Sequence, residues 1–255
     1  MNRIALLASL AALAIGGQAQ AQMVDFTTMT LNGSGWMPTA TANDLTLNNG
    51  NGGEATSAFL PTAFNTTGGL AGSFDFTLLS NGFNPQADGL ALMFQNDPAG
   101  ANALGGGGGT IGAGGIQNAV GIGFQSWYNE AASIFTTAEG PYGGSRTYFS
   151  LGGNAADHVH VTFSYSGGIL SYTASNSDTG QNIANSRMIT LPSSAFIGFT
   201  GGSGLSYAFQ DVSNFNLNTA PVPEPESWAM MIAGMSLLGA VLRRRRGVAE
   251  TVTTV

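Results

Sequence analysis

Alternating apolar and polar positions run through most of the chain, and this pattern is typical of β-strands. In SFDFTLL, Phe74, Phe76 and Leu78 fall on one face, and in HVHVTFSY, which begins at His158, every second residue is apolar. Ser166 to Gly168 then predict a hairpin turn into the next strand. Because no helical pattern of ten residues occurs before Trp228, the chain is predicted to be all-β, as two antiparallel sheets packed in a sandwich.

Residues 87–130 depart from this regular alternation. Two continuous apolar runs, Leu90 to Phe94 and Ala119 to Trp127, enclose a loop that contains Gly105 to Gly109 and three further glycines. A phosphate-binding loop would need a Lys and a following helix, and neither is present. A flexible linker, a loop that covers a sheet edge and a loop that lines a shallow polar site remain as alternatives.

The amino-terminal 21 residues have the three parts of a secretory signal. Arg3 supplies the positive charge, Ile4 to Ile15 the apolar core, and Ala19 and Ala21 the small residues of a cleavage site, which predicts a mature chain from Gln22. The sequence contains no Cys, so the exported domain, predicted to span residues 22–218, must be held together by packing alone.

The charge of this domain excludes one class of partner. Arg146 and Arg187 are its only basic residues, against eleven acids, which gives a net charge of −9. Because two basic side chains cannot neutralise a phosphate backbone, nucleic acid is not expected as a partner.

The composition changes after Asn218. A Pro-rich hinge (219–227) is followed by an apolar run from Trp228 to Leu242, the four arginines 243–246 and a tail (247–255). As a helix the run would be about 22 Å long, against roughly 30 Å of bilayer hydrocarbon, and snorkelling arginines with an interfacial Trp could supply the difference. The pattern predicts a single hydrophobic helix with the large domain outside the cytoplasm.

Catalytic constellations are missing from the sequence. The acids of the domain are isolated, although glycoside hydrolysis needs a carboxylate pair, and no G-x-S-x-G surrounds a Ser. His158 and His160, with Asp157 beside them, are a candidate metal site, but a pair without a third ligand is more often a polar strand face. We therefore expect the protein not to be an enzyme.

Several motifs resemble the bacterial branch of the L-type (legume-lectin-like) lectins. The stretch ADGLALMFQNDPAGANALGGGGGTIGAGGI and the strand ending in FQSWYNE are similar to the family's central strands and polyglycine loop. Similar opening strands lie at Leu31–Trp36, Asp44–Leu47, Gly52–Pro61 and Ser73–Leu79, and similar closing strands at Ile197–Leu217. The resemblance implies a concanavalin-like jelly-roll sandwich over residues 24–217.

The same resemblance implies a carbohydrate site. Asp88 would accept hydrogen bonds from sugar hydroxyls, and Asn129 and a loop amide would donate. Apart from the resemblance, an aromatic ring such as Trp127 or Tyr128 could pack on the apolar face of the sugar. The loop amide would come from Gly107, Gly108 or Gly109. The family holds calcium and a transition metal with a Glu and an Asp, where this chain has Gly123 and Gln125. Calcium is therefore possible only through donors such as the Asn129 side chain and the Trp127 carbonyl, a weak set for a hard dication.

The carboxy-terminal segment resembles the PEP-CTERM sorting signal, with Pro223, Glu224 and Pro225, an apolar helix, and Arg243, Arg244, Arg245 and Arg246. This resemblance implies recognition by an exosortase at the inner membrane of a Gram-negative bacterium, and release to the cell surface or extracellular matrix. The chain departs from the usual pattern by continuing to Val255, so a permanent anchor is the alternative.

Two functions follow from these observations. The first is an exported lectin-like protein that binds glycans or exopolysaccharide of the matrix. The second is a structural matrix protein that uses a degenerate lectin fold and binds no sugar. The sugar itself would be selected by loops such as residues 129–146, where no motif guides the choice.

Overall fold

The structure, a computed structural model, describes residues 22–80, 82, 86–127, 130–151 and 156–219. The predicted signal sequence, residues 220–227 of the predicted hinge, and the apolar helix, arginine cluster and tail lie outside these residues. The first residue of the predicted hinge, Thr219, instead ends a strand. Within the part that is described, no helix is both long enough and apolar enough to cross a membrane.

Sixteen strands and three short 3-10 helices make up the described chain. The strands are β1 (Gln22–Met23), β2 (Thr30–Ser34), β3 (Thr39–Ala40), β4 (Asp44–Asn49), β5 (Ala55–Phe59), β6 (Phe64–Asn65), β7 (Leu70–Leu79), β8 (Gly89–Gln95), β9 (Ala119–Gln125), β10 (Ala131–Thr136), β11 (Ser145–Tyr148), β12 (Ala156–Ser166), β13 (Ile169–Asn176), β14 (Asn182–Met188), β15 (Ser194–Gly202) and β16 (Phe209–Thr219). The 3-10 helices span Phe26–Thr28, Gly100–Asn102 and Gly108–Thr110.

The strands form two antiparallel sheets, which confirms the predicted all-β sandwich. Sheet I has the order β14-β13-β12-β7-β16-β4-β3, with β1 also paired to β16. Sheet II has the order β11-β10-β9-β8-β15-β5-β2, with β6 also paired to β15. The predicted hairpin is present, since Ser166 pairs with Ile169 between β12 and β13.

The interior between the sheets is rich in aromatic rings. Phe74 of sheet I lies 5.0 Å from Phe199 of sheet II, and Phe76 lies 4.8 Å from Phe124, measured between ring centroids. The alternation in β7 and β12 predicted this face correctly, because Phe74, Phe76 and Leu78 and the apolar residues 159, 161 and 163 are buried while His158 and His160 are exposed. These rings account for the stability of a chain without Cys.

Sheet II is covered on its outer face as well. Strands β8 and β9 are buried at every residue, because the glycine-rich loop between them folds back over the sheet. A second apolar cluster, called here the outer cluster, fills the space beneath this loop; it consists of Phe59, Ala91, Met93, Ala101, Ala103, Ile111, Ala113, Ile116, Ala119 and Phe135. The loop therefore packs on a sheet face, rather than linking two strands flexibly or covering a sheet edge.

Candidate functional site

Asp88 lies directly before β8, and a cis peptide bond joins it to Ala87. Its backbone N–H donates to the Gly202 carbonyl, and its own carbonyl accepts from the Ser126 N–H, both at 3.0 Å. These bonds attach Asp88 to the end of β15 on one side and to the residue after β9 on the other. The position of its side chain is therefore set by two neighbouring strands.

The Asp88 carboxyl is nearly buried, with 6% of the residue exposed. Burial raises the pKa of this carboxyl to about 6, and a hydrogen bond from the Gly204 N–H partly opposes the shift. The oxygens of such a carboxylate are poorly solvated by water. Hydrogen-bond donors from a ligand would therefore stabilise its ionised form.

Glycines surround this carboxyl where side chains would obstruct it. A Cβ at Gly204 would stand 3.2 Å from the Asp88 Oδ2, and one at Gly108 would stand 3.9 Å from it. A Cβ at Gly107 would be only 2.6 Å from the Glu54 carbonyl oxygen, so the loop backbone lies directly on the end of β5. The glycines thus allow the loop to pass close to Asp88. The loop backbone then faces the space beside the Asp88 carboxyl.

Tyr142 and Arg146 form a wall beside these glycines that the sequence patterns did not identify. The Tyr142 ring lies against Gly109, where a Cβ would meet the ring Cε2 at 3.1 Å. The Arg146 guanidinium lies over the same ring, 5.5 Å from its centroid. Burial, and then the charge of Asp88, raise the pKa of Tyr142, while Arg146 lowers it, so the three groups share one electrostatic environment.

The signal for Tyr142 in the sequence is faint. It stands in the turn EGPYGGSR between β10 and β11, and an aromatic residue among turn residues is the only indication in the sequence that it faces a site. In the structure 39% of Tyr142 is exposed. Tyr142 is far from Asp88 in the sequence, and only the tertiary structure brings the two residues near each other.

The other predicted carbohydrate ligands are less well placed by the structure. Trp127 is half-buried and follows Ser126, which bonds to Asp88. Asn129 lies outside the described residues. The roles assigned to Asp88, Gly107, Gly108, Gly109, Trp127 and Asn129 stay predictions, although the structure does place Gly108 beside the Asp88 carboxyl.

The metal ligands implied by the family resemblance do not fit this chain. A Cβ at Gly123 would lie 2.9 Å from the Phe135 Cε1 and 3.3 Å from the Ile111 Cδ1, so no Glu side chain could leave the strand there. Gln125 supplies a fully buried neutral amide whose two polar atoms lack hydrogen-bond partners. Glu130, the nearest acid in sequence, accepts the Leu151 N–H. In the described part of the chain, no group of three or more His, Cys, Asp or Glu could hold a metal ion.

The histidines of β12 form a polar strand face. His158 contacts Asp178 at 3.0 Å and His160 contacts Asp75 at 2.5 Å, each through Nδ1, so the two rings bond to carboxylates on different elements. Asp157 is fully buried and accepts from the Asn176 amide. Asp157 therefore points away from the histidines, and these three residues do not converge.

Comparison with known protein families identifies a sorting motif near the carboxy terminus. Residues 221–246 match the model of the PEP-CTERM protein-sorting motif, a signal for export and cell-surface sorting. A search of curated proteins finds no match.

Solved structures of plant lectins share the fold. The lectin from Bauhinia forficata in complex with GalNAc superposes with a TM-score of 0.64 at 17% identity, covering 79% of this chain and 99% of that one. Lectin II from Ulex europaeus gives 0.64 at 15% identity, covering 75% and 92%. Arcelin-5, a lectin-like defense protein from Phaseolus vulgaris, gives 0.63 at 14% identity, also covering 75% and 92%. The chain therefore has the fold of the legume lectins and carries a PEP-CTERM sorting motif, which indicates export.

Proposed function

We propose that the protein binds a glycan through Asp88 on the surface of the producing cell or in its extracellular matrix. The observation that carries the proposal is the Asp88 carboxyl, which is nearly buried, has a pKa of about 6 and contacts glycine backbone. A carboxylate can accept from two sugar hydroxyls at once, and such bonds would compensate for the water that burial has removed.

The loop and the wall supply the other contacts that a pyranose needs. The Gly108 N–H already donates to the Ser203 carbonyl at 3.1 Å, so we expect the ligand to receive its loop amide from Gly107 or Gly109. Tyr142 presents an aromatic surface beside Gly109 for the apolar face of a sugar. The net charge of −9 favours a neutral glycan over a polyanionic one, because like charges repel.

The sorting motif supports the proposed location. It resembles substrates of an exosortase, so we expect processing at the inner membrane and release of the domain to the outside of a Gram-negative cell. The large domain would then meet the cell's own exopolysaccharide. We propose binding without hydrolysis, since the acids of the domain are isolated along the sequence.

A second candidate is a matrix protein that keeps the lectin fold without sugar binding. It is favoured by Gly123 and Gln125, which stand where the resemblance implies metal-binding acids.

A glycan array that includes polysaccharide from the producing cell's matrix tests the first proposal, using the full chain and its Asp88→Ala and Asp44→Asn variants. We expect saturable binding by the parent chain, loss in Asp88→Ala and full retention in Asp44→Asn, because Asp44 is exposed at the start of β4. Far-ultraviolet circular dichroism establishes that each chain is folded. A folded parent chain that binds nothing would refute the proposal and favour the matrix protein.

A further inference from the structure

The outer face of β9 is shaped for an apolar partner. Gly121 and Gly123 alternate with Ile122 and Phe124, whose side chains enter the interior, so the two glycines face the covering loop. A Cβ at Gly121 would stand 2.6 Å from the Phe135 Cζ, and one at Gly123 2.9 Å from its Cε1. The Phe135 ring therefore lies across both glycines.

Ile111 brings the glycine-rich loop into the same contact. Its Cδ1 would be 3.3 Å from a Cβ at Gly123, and the residue is fully buried. Its φ of +48° is rare for a β-branched residue and costs conformational energy. Such a conformation persists only when surrounding packing compensates for it, so the outer cluster determines the path of the loop at this point.

Ile111 is linked directly to the part of the loop that lies beside Asp88. The Ile111 N–H donates to the Gly108 carbonyl at 2.8 Å, and Gly108 lies beside the Asp88 carboxyl. Gly112 lies so close to β15 and β5 that a Cβ there would be 2.4 Å from the Gly201 carbonyl oxygen. Burial of Ile111 thus positions the glycines that flank Asp88.

We propose that the outer cluster orders this loop in place of a metal pair, so that neither the fold nor the Asp88 site depends on a divalent cation. Phe135 and Ile111 occupy the place where an acidic side chain from position 123 would reach a cation. The neutral Gln125 amide cannot offset the desolvation of a dication that prefers carboxylate oxygens. The proposal concerns the folded chain and stands whether or not the protein binds sugar.

Thermal unfolding of the full chain tests it directly. The chain is dialysed against EDTA and then melted with EDTA or with excess calcium and manganese. We expect the two Tm values to agree within about 1 °C, whereas a cation at a hundred times its Kd would raise Tm by several degrees. Elemental analysis of the chain before EDTA treatment should find less than one bound metal ion per chain. A metal-dependent rise in Tm, or stoichiometric metal, would overturn the proposal.

Two buried phenylalanines separate the ordering role from general stability. Phe135→Ala truncates the outer cluster, and Phe163→Ala removes a similarly buried ring from the interior between the sheets. Both should lower Tm, but only Phe135→Ala should accelerate hydrogen exchange at residues 105–112, measured well below both Tm values. Phe135→Leu provides a milder variant with the same expected direction. Unchanged exchange of the loop in both Phe135 variants would contradict the ordering role.

Discussion

Replacing Asp88 by Asn should stabilise the protein at neutral pH while removing its proposed ligand contact. The carboxyl has a pKa of about 6 in the folded chain, raised from 3.8 by burial. Above pH 6 the folded state therefore contains a buried carboxylate that is better solvated in the unfolded chain. The difference of about two pKa units corresponds to at most about 3 kcal/mol of lost stability.

The direction in which stability changes with pH follows from the protons that each state binds. Between pH 3.8 and 6 the folded chain keeps a proton on Asp88 that the unfolded chain has released, so stability of the parent chain falls as the pH rises through this window. Above pH 6 both states are ionised and the penalty is constant. The amide introduced by Asp88→Asn would have no such dependence, and its oxygen could still accept from the Gly204 N–H.

Urea unfolding of the parent chain and of Asp88→Asn at pH 8, 6 and 4 measures the effect. We expect the variant to be about 1 to 3 kcal/mol more stable at pH 8, with most of the gain absent at pH 4. In a domain of this size each kcal/mol corresponds to roughly 2–4 °C in Tm. Asp44→Asn is the control, because an exposed substitution should change stability by less than about 0.5 kcal/mol.

Two results would refute this reasoning. The first is an Asp88→Asn chain that is less stable than the parent at pH 8. The second is a gain of equal size at pH 8 and pH 4, which would show that the effect does not come from ionisation. The expected result, a more stable chain with weaker glycan binding, would mark Asp88 as a residue retained for function at a cost in stability.

Two further predictions concern the loop and the edge of sheet II. Gly112→Ala should destabilise the chain by at least about 2 kcal/mol in urea unfolding, because its Cβ would clash with the Gly201 and Thr56 carbonyl oxygens. The control Gly180→Ala, with nearly the same positive φ but no neighbour within 4 Å of the added Cβ, should cost only about 1 kcal/mol. Equal losses of stability in the two variants would contradict the clash. Glu139→Gln should cost less than about 1 kcal/mol at pH 7, because it weakens the surface ion pair with Arg187. The Arg187 hydrogen bond lowers the pKa of Glu139 to about 2, so the stability that the pair contributes should be lost as the pH falls from 4.5 towards 2, and a loss that persists unchanged at pH 2 would contradict this origin.

The regular strands could be predicted from the sequence because their physics is local. In β7 and β12 every second residue is apolar, and the pleat of a strand sends those residues to one face. The prediction was inexact at the end of β9, which stops at Gln125 instead of Trp127. There the Ser126 N–H bonds to the Asp88 carbonyl, a contact that no local pattern indicates.

The site could be predicted only in part. Asp88 and the loop glycines were found through motifs that lie in one continuous stretch of sequence. Tyr142 and Arg146 lie within residues 129–146, the predicted specificity loop, but no motif marked either residue, because the contact of Tyr142 with Gly109 exists only in the tertiary structure. Asp157 was placed beside the histidines by sequence proximity, yet the period of two in a strand sends it to the opposite face.

The sequence by itself determined the all-β class, the buried strand faces, the sorting motif and the absence of acidic residues at positions 123 and 125, because each depends on residue type and spacing alone. The tertiary structure decided what replaces those acids. Phe135 and Ile111 come from different elements, and only their packing against Gly123 shows that an apolar cluster occupies the place. Burial likewise decided the properties of Asp88, since the pKa of a carboxyl depends on how much water surrounds it, and that is a property of the folded chain.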